Sequence, residues 1–358
     1  MRLSHIRLVD FRNVENADLP LDGKRHFFCG ANGEGKTNIL EAAGLITALR
    51  SFRTTEIRPL IRQNEALASI RVTVSLAQSS QSIIDIHLNR SGRKVFIDEV
   101  PIERFSDFIG RYPTVTISSS DIQLLRGSPS LRRRFFDLIL SFGEPEYLHA
   151  LKGYHKTLQE RNALIKNNGA DGEIDAFDHI LAPFAATLIH QRSNALLKFQ
   201  IVFQDFYQRI AQSRTEIPEL RYKPSELSES PEKFAAVLRQ NRERDKIYRT
   251  TQSGPHRDDF TFLLNNNKAL DFASEGQQRA LVLSLRFAQF EYFREKSNTT
   301  PIILADDILG ELDPSRRQRF WDACDPDAQI LATGTEPPGQ SESWNIFKVL
   351  NGSVEVAL

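Results

Sequence analysis

The stretch Gly30–Thr37, GANGEGKT, limits what this chain can fold into more than any other feature. It fits G-x-x-x-x-G-K-[ST], a loop whose glycines let the backbone turn so that successive N–H groups face a polyphosphate. Such a loop works only between a buried strand and a helix, and both are legible. His26, Phe27 and Phe28 read as a strand, and NILEAAGLITAL from Asn38 is apolar at helical spacing. Gly30, Ala31, Asn32, Gly33, Glu34, Gly35, Lys36, Thr37 and Asn38 are therefore candidate phosphate-binding residues. Lys36 would reach the β- and γ-phosphates, and the Thr37 hydroxyl would hold Mg²⁺.

A phosphate loop hydrolyses little without a second acidic site for the metal and a group that orients water. PIILADD at 301–307 supplies both at one strand end: Asp306 to hold Mg²⁺ directly or through water, Asp307 to polarise the attacking water. Ser274-Glu275-Gly276-Gln277 adds an S-x-G-Q pattern just before a long helical run. There the Ser274 hydroxyl, the Gly276 backbone and Gln277 sit at a helix N-terminus suited to an anion. Ser and Gly also cap helices routinely, so the weight of this motif comes from its place in the chain, between a helical stretch and the Asp-Asp strand.

Around these motifs the chain reads as a sheet domain interrupted by helices. MRLSHIRLVDF alternates like a strand and ends in a charge and a turn, where Arg12 is either a nucleotide contact or simply solvated. SIRVTVSLA, SIIDIHLNR and KVFIDEV alternate as an antiparallel meander, with SerGly at 91–92 as a turn. Between helix and meander, Arg50, Arg53, Arg58 and Arg62 form either a solvated face or a contact to DNA or a second subunit. Arg132, Arg133 and Arg134 crowd the start of a helix after GlySerPro at 127–129, against the helix dipole, which hints at an anionic or acidic partner. From 144 to 249 the period becomes helical and no strand is expected: two long runs flank the loop KNNGADGE, and a third helix is expected over 231–249. Sheet character returns with a hairpin across Asn265–Asn267, a buried strand in QILATGT and an AsnGly hairpin at 351–352. The domain reading is thus a head made of 1–143 and 250–358, with a helical arm of 144–249 inserted.

Composition narrows the class. Hydrophobic residues at 40% and charged residues at 26% are those of a globular protein, and a formal net charge of zero means that any nucleic-acid site is a local patch. The cysteines, Cys29 and Cys324, have no metal-ligand spacing, and Cys29 is expected to pack beneath the phosphate loop. There is neither a signal-peptide core nor a membrane-length apolar run, so the expectation is cytoplasmic with no membrane partner.

The ordered motifs GANGEGKT, SFRTTE, LLRGSPSLRRRFFD, LQERNALIK, SGPHRDDF, SEGQQRAL and PIILADDILGELD, running nearly end to end, resemble the ATP-binding-cassette, SMC-like family of DNA-maintenance ATPases. RGSPxxRRRFxD, QxRNxLxK and GPHRDD are similar to its recombinational-repair branch in particular. The resemblance implies an α/β fold: a two-lobed head, with a mixed sheet around the phosphate loop plus an antiparallel lobe, and an inserted α-helical arm. It also implies ATP and Mg²⁺ as cofactors and an ATP-dependent homodimer. Lys36, Asp306 and Asp307 would be catalytic, and Thr37 and Asp306 would hold the metal. Ser274, Gly276 and Gln277 would cover the γ-phosphate bound by the other subunit, and Glu311, Leu312 and Asp313 match a loop that crosses between the two sites. Gapped or junction DNA, RecR, RecO and, indirectly, RecA are the implied partners.

Two departures stand out: the residue after the metal Asp is the shorter Asp307, and SSSD at 118–121 lacks the usual acidic residue before Asp121. No switch His follows LATGT, and His256 is expected to be structural. Arg50, Arg53, Arg132 and Arg133 are the candidate DNA contacts. An SMC-type tether would need long heptad arms and a hinge or hook that the chain lacks, and a transporter subunit would need a membrane partner. An ATP-gated binding module with negligible turnover would carry the same residues.

Overall fold

The computed structural model describes residues 1–76, 80–228, 230–308, 310, 312–338 and 344–356. They fall into two compact units, Met1–Asp121 with Gln289–Leu358, and Ile122–Ala288.

In the first unit a six-stranded sheet runs Ser353–Val356, Asn345–Leu350, Arg25–Cys29, Ile330–Gly334, Ile302–Asp306, Thr114–Ser118. All its neighbours pair in parallel except the terminal hairpin. Every residue of Ile302–Asp306, Ile330–Gly334 and Thr114–Ser118 is buried, which is why the first two read as largely apolar runs; Thr114–Ser118, TVTIS, alternates although both its faces are covered. A parallel sheet gathers its strand ends on one side, so the ends of Arg25–Cys29 and Ile302–Asp306 deliver the phosphate loop and the two aspartates to the same edge.

The second sheet of this unit is antiparallel: Val14–Pro20, Arg2–Phe11, Leu67–Ser75, Gln81–Asn89, Gly92–Ile97, Val100–Pro101. Its register sets Ile6 opposite Val72, Val72 opposite Ile84 and Ile84 opposite Ile97, one apolar stripe across four strands. With Ile39, Leu40 and Ile46 of helix Lys36–Ala48 it forms a single core. Each of these buried aliphatic side chains contributes about 1.5–3 kcal/mol relative to exposure. The first strand ends at Phe11 as expected, and the strand Val14–Pro20 that follows is one the sequence reading did not include. The chain turns at Arg12, φ +57°, and returns with Val14, Ala17 and Leu19 buried, an alternation disguised by Glu15, Asn16 and Asp18.

The second unit is mainly helical: Pro129–Gly143, Pro145–Lys166, Asp171–Ala211, Pro231–Gln240 and Arg242–Tyr248. It holds all of 144–249 together with Pro129–Gly143 and the hairpin of Asp259–Leu264 with Asn267–Lys268. Phe136 stacks on Phe260 with ring centres 4.0 Å apart and meets Phe199 at 5.8 Å, which ties these segments into one core. Two local expectations are corrected. Pro218–Lys223 is a strand paired with Asp259–Leu264; with only Pro218 and Leu220 buried, its alternation is too short to read from sequence. The helix expected over 231–249 is two, interrupted at Asn241, whose side chain donates instead to Ser253 Oγ at 3.1 Å. Helix Glu275–Ser297 begins in this unit and ends in the first.

Candidate functional site

The phosphate loop owes its path to glycine at two places in particular. A Cβ on Gly30 would stand 2.3 Å from the Val349 carbonyl oxygen, and Gly35, at φ +107°, would place one 2.5 Å from Asn13 Oδ1. The loop is pinned from outside. Asn13 Nδ2 donates to the Glu34 carbonyl at 3.1 Å, Gly352 N donates to the same oxygen at 2.9 Å, and the Asn351 N–H donates to the Glu34 carboxylate. Asn38 Nδ2 donates to Asn13 Oδ1 at 2.7 Å. Lys36 is buried, its ammonium donating to the carbonyls of Gly30 at 2.7 Å and Ala31 at 2.8 Å.

Asp306 sits at the end of its strand, 9% exposed, and its Oδ1 accepts from Thr37 Oγ1 at 2.8 Å and from Thr333 Oγ1 at 2.9 Å. Burial pushes its carboxyl above the ordinary range and the neighbouring Asp307 adds to this, while the two hydroxyls and Arg53 pull it back. A buried carboxylate held by hydroxyls alone suits a cation. Two adjacent oxygen ligands of an octahedral Mg²⁺ stand roughly 2.9 Å apart, close to the Thr37–Asp306 separation of 2.8 Å. No cluster of three or more His, Cys, Asp or Glu that could hold a metal exists among the described residues. Asp307 leaves the strand at φ +50° with its side chain exposed and its N–H donating to Thr333 Oγ1 at 2.9 Å. Thr333 thus fixes both aspartates, a role the sequence reading missed. The available signal was a lone hydroxyl within the apolar run of ILATG.

Glu41 was missed as well. It lies fully buried on the loop's helix and gathers three side chains from two segments. Arg12 donates to it with Nε at 2.9 Å and Nη2 at 2.6 Å, Arg53 Nη1 approaches at 3.3 Å, and the Ser51 hydroxyl donates to it. Arg12 is therefore engaged in a buried ion pair, which neither of the two sequence readings anticipated. Arg53 also donates to Asn38 Oδ1 at 2.8 Å, which places SFRTTE beside the phosphate loop. Asp121 turns back so that its Oδ2 accepts the Ser118 N–H at 2.8 Å, and Ser118 is the register partner of Asp306. Leu312 is buried and Asp313 caps helix Pro314–Ala323, while Glu311 lies outside the described residues.

The remaining motifs lie in the second unit. Ser274 and Gln277 cap each other reciprocally: Ser274 N donates to Gln277 Oε1 at 2.7 Å and Gln277 N donates to Ser274 Oγ at 3.3 Å. Gln277 Nε2 also donates to Glu216 at 2.8 Å, and Ser274 remains exposed. The arginines of LRRRFF find their acidic partner inside the chain. Arg132 makes a two-point contact with Asp259 at 2.7 and 3.1 Å, and Arg133 donates to the Asp258 carbonyl at 2.6 Å. Arg132 thus has its acidic partner within the chain, which answers the dipole conflict at that residue, whereas Arg133 is held by a backbone carbonyl. His256 is held on both ring nitrogens, by Tyr154 Oη at 2.6 Å and the Thr251 carbonyl at 3.0 Å, and burial drives its pKa down to about 4. A neutral, doubly anchored histidine is a structural one. In LQERNALIK, the fully buried Arg161 donates to Asp178 at 2.6 Å and Asp245 at 2.8 Å, and Asn162 accepts both the N–H and the hydroxyl of Thr251.

With this geometry in view, the comparisons are specific. Residues 2–349 match the family model described as RecF/RecN/SMC N terminal domain. The chain is similar to the DNA replication and repair protein RecF of Clostridium perfringens, 32% identical over 99% of this chain and 100% of the relative. It is equally similar to that of Microcystis aeruginosa, at 32% with the same coverage. Among solved structures it resembles the recombination mediator protein RecF-ATP in the RecFOR pathway, with a TM-score of 0.92 at 28% identity over 99% of this chain and 97% of that one. A Smc head bound to the C-winged helix domain of ScpA matches at a TM-score of 0.56 and 16% identity, a likeness of fold alone. No helix among the described residues is long and apolar enough to cross a membrane.

Proposed function

The chain belongs to the RecF/RecN/SMC family, and from that premise we propose that it is a DNA-binding ATPase of recombinational repair. It closes as a homodimer around ATP at gapped DNA or stalled forks, opens on hydrolysis, and assists RecA loading together with RecO and RecR. The observation that carries the reading is the convergence of buried Lys36 and Asp306 with the half-buried Thr37 at one sheet edge in a chain that matches ATP-bound RecF along its whole length. The relatives' names supply DNA replication and repair and the RecFOR pathway; gapped DNA, the homodimer and RecA follow from the resemblance of the motifs to this family.

In this reading the loop N–H groups from Gly30 to Asn38 bind the phosphates, and the Lys36 ammonium exchanges its two carbonyl acceptors for β- and γ-phosphate oxygens. Thr37 and Asp306 would hold Mg²⁺, which would supply positive charge against the phosphate oxygens. Asp307, exposed and fixed through Thr333, accepts a hydrogen bond from the attacking water and aligns it. Ser274, Gly276 and Gln277 of a second copy cover the γ-phosphate, so neither copy is complete alone and turnover is tied to assembly. Turnover is slow and DNA-stimulated, and the protein works in the cytoplasm.

Two substitutions test this directly. Lys36→Arg keeps the charge but not the compact ammonium, and ATPase activity should be lost; unchanged activity removes the phosphate-loop assignment. Ser274→Arg should leave ATP binding intact while the doubling of mass with ATP and Mg²⁺, read by light scattering, disappears. Normal doubling in that variant would defeat the dimer.

A further inference from the structure

Gln278, the second glutamine of SEGQQRAL, is buried, and it holds the backbone on both sides of Ser274. Its side-chain Nε2 donates to the Ala273 carbonyl at 3.0 Å, and its backbone N–H donates to the Ser274 carbonyl at 2.9 Å. The peptide units before and after the Ser274 Cα are thus tied to one residue. Longer bonds from Nε2 reach the Ala269 and Leu270 carbonyls, at 3.3 and 3.4 Å, in the single-turn helix Ala269–Phe272. The amide is oriented from its other end. Arg126 Nε donates to Gln278 Oε1 at 2.8 Å, so Nε2 is the atom that faces the carbonyls.

Arg126 is exposed, at the end of the short helix Gln123–Arg126. Arg132 holds that helix end: its Nη1 donates to the Gly127 carbonyl at 2.8 Å and the Leu124 carbonyl at 3.3 Å, while its Nε and Nη2 grip Asp259. Three of the sequence motifs therefore join in one connected line within the second unit. It runs from Asp259 through Arg132 and helix Gln123–Arg126 to Gln278, and it ends on the exposed Ser274.

A buried glutamine that merely finished the helix Ala269–Phe272 would account for the two longer bonds. It would need neither the Ala273 carbonyl, which lies beyond that helix, nor an arginine. An exposed arginine gains little by donating to a neutral amide in place of water, so what the bond supplies is the direction of the amide. A hydroxyl that must meet a phosphate oxygen has to be held to within about 0.5 Å by such supporting bonds.

We infer that Gln278 and Arg126 are positioning residues for Ser274. Gln278 fixes the Ser274 backbone so that its hydroxyl meets the γ-phosphate bound by a second copy, and Arg126 keeps the Gln278 amide the right way round. The inference rests on the two-copy site proposed above.

The test compares full-length wild type, Arg126→Ala, Arg126→Lys, Gln278→Met and the double variant Arg126→Ala/Gln278→Met. It reads binding of a fluorescent ATP analogue by dilute protein, ATP-induced doubling of mass over a range of protein concentrations, and kcat and KM for ATP. Analogue affinity and KM should stay within about twofold throughout, because both residues act on the far side of the sandwich. In Arg126→Ala and Gln278→Met the ATP-dependent dimer should weaken, and kcat should fall, by roughly tenfold, as suits one lost buried hydrogen bond. Arg126→Lys, which can still donate to Oε1, should recover most of the loss. The double variant should be no worse than Gln278→Met, since Arg126 acts through that amide alone. Losses that multiply in the double variant overturn the link between the two residues. Wild-type doubling and kcat in Arg126→Ala, even with a lowered melting temperature, overturn the inference and leave the two-copy site standing, and this variant decides alone if Gln278→Met does not fold. A wild type that fails to double with ATP overturns that site and the inference with it.

Discussion

Asp306 and Asp258 are both buried aspartates in prominent motifs, one in each unit, and they are treated in opposite ways. Asp258 is fully enclosed and satisfied: Arg192 Nη1 donates to it at 2.8 Å, Ser225 N at 2.8 Å, and the Tyr222 hydroxyl donates as well. Asp306 accepts from two threonine hydroxyls, and burial raises its pKa. The same contrast holds for the cations. Arg161 and Arg192 are closed inside carboxylate networks, whereas the Lys36 ammonium is held by loop carbonyls. A motif can therefore be specific because it completes a fold or because a ligand completes it. The second unit's motifs are of the first kind, apart from the exposed Ser274 end, as is SFRTTE, whose Ser51 and Arg53 close onto Glu41; on the function proposed above, the phosphate loop and the Asp306 strand end are of the second.

The largest effect that could break this comparison is on stability. Arg192→Ala leaves Asp137 and Asp258 without their cation, and should cost about 3–5 kcal/mol in urea unfolding. A loss under about 1 kcal/mol would mean that the network is not what holds the second unit together. Next comes Asp307→Asn, which should lower ATP turnover roughly a hundredfold or more while leaving the ATP-dependent mass and the melting temperature unchanged. Unaltered turnover would move the water-aligning role elsewhere.

His256 sharpens the contrast through pH. Its folded pKa, about 4, lies below the ordinary 6.5, so an unfolded chain takes up a proton that the folded chain refuses as pH falls from 6.5 towards 4. Stability supplied by neutral His256 is complete above about 6.5 and is lost across that window, by up to roughly 3 kcal/mol. Urea midpoints across the window should fall in the wild type, and His256→Gln should flatten that part of the curve. A wild-type curve no steeper than the variant's would contradict the buried neutral ring.

The two units also differ in how far they could be read from sequence. GANGEGKT and LADD were legible because loop and strand-end chemistry demand particular residues within a few positions. The parallel strands Ile302–Asp306 and Ile330–Gly334 declared themselves as apolar runs because both their faces are covered. Glu41, Thr333 and Asn13 were not legible as site residues, since each acts through a partner far away in the chain, and a single Glu or Thr carries no local signal. In the second unit the arginine cluster at 132–134 was legible as a conflict, but not its resolution, because Asp258 and Asp259 come over a hundred residues later. Strand Pro218–Lys223 was hidden by its length.

The most direct test of the central claim is the melting temperature of wild type and Asp306→Asn, each with and without ATP and Mg²⁺. A carboxyl whose folded pKa is raised costs stability once pH exceeds its unfolded value, so near neutral pH the nucleotide-free Asn variant should be the more stable. ATP and Mg²⁺ should then stabilise the wild type and leave the variant nearly unmoved. A variant that melts lower without nucleotide, or that gains as much from ATP and Mg²⁺ as the wild type, would show that Asp306 belongs to the fold in the way Asp258 does, and would contradict the account.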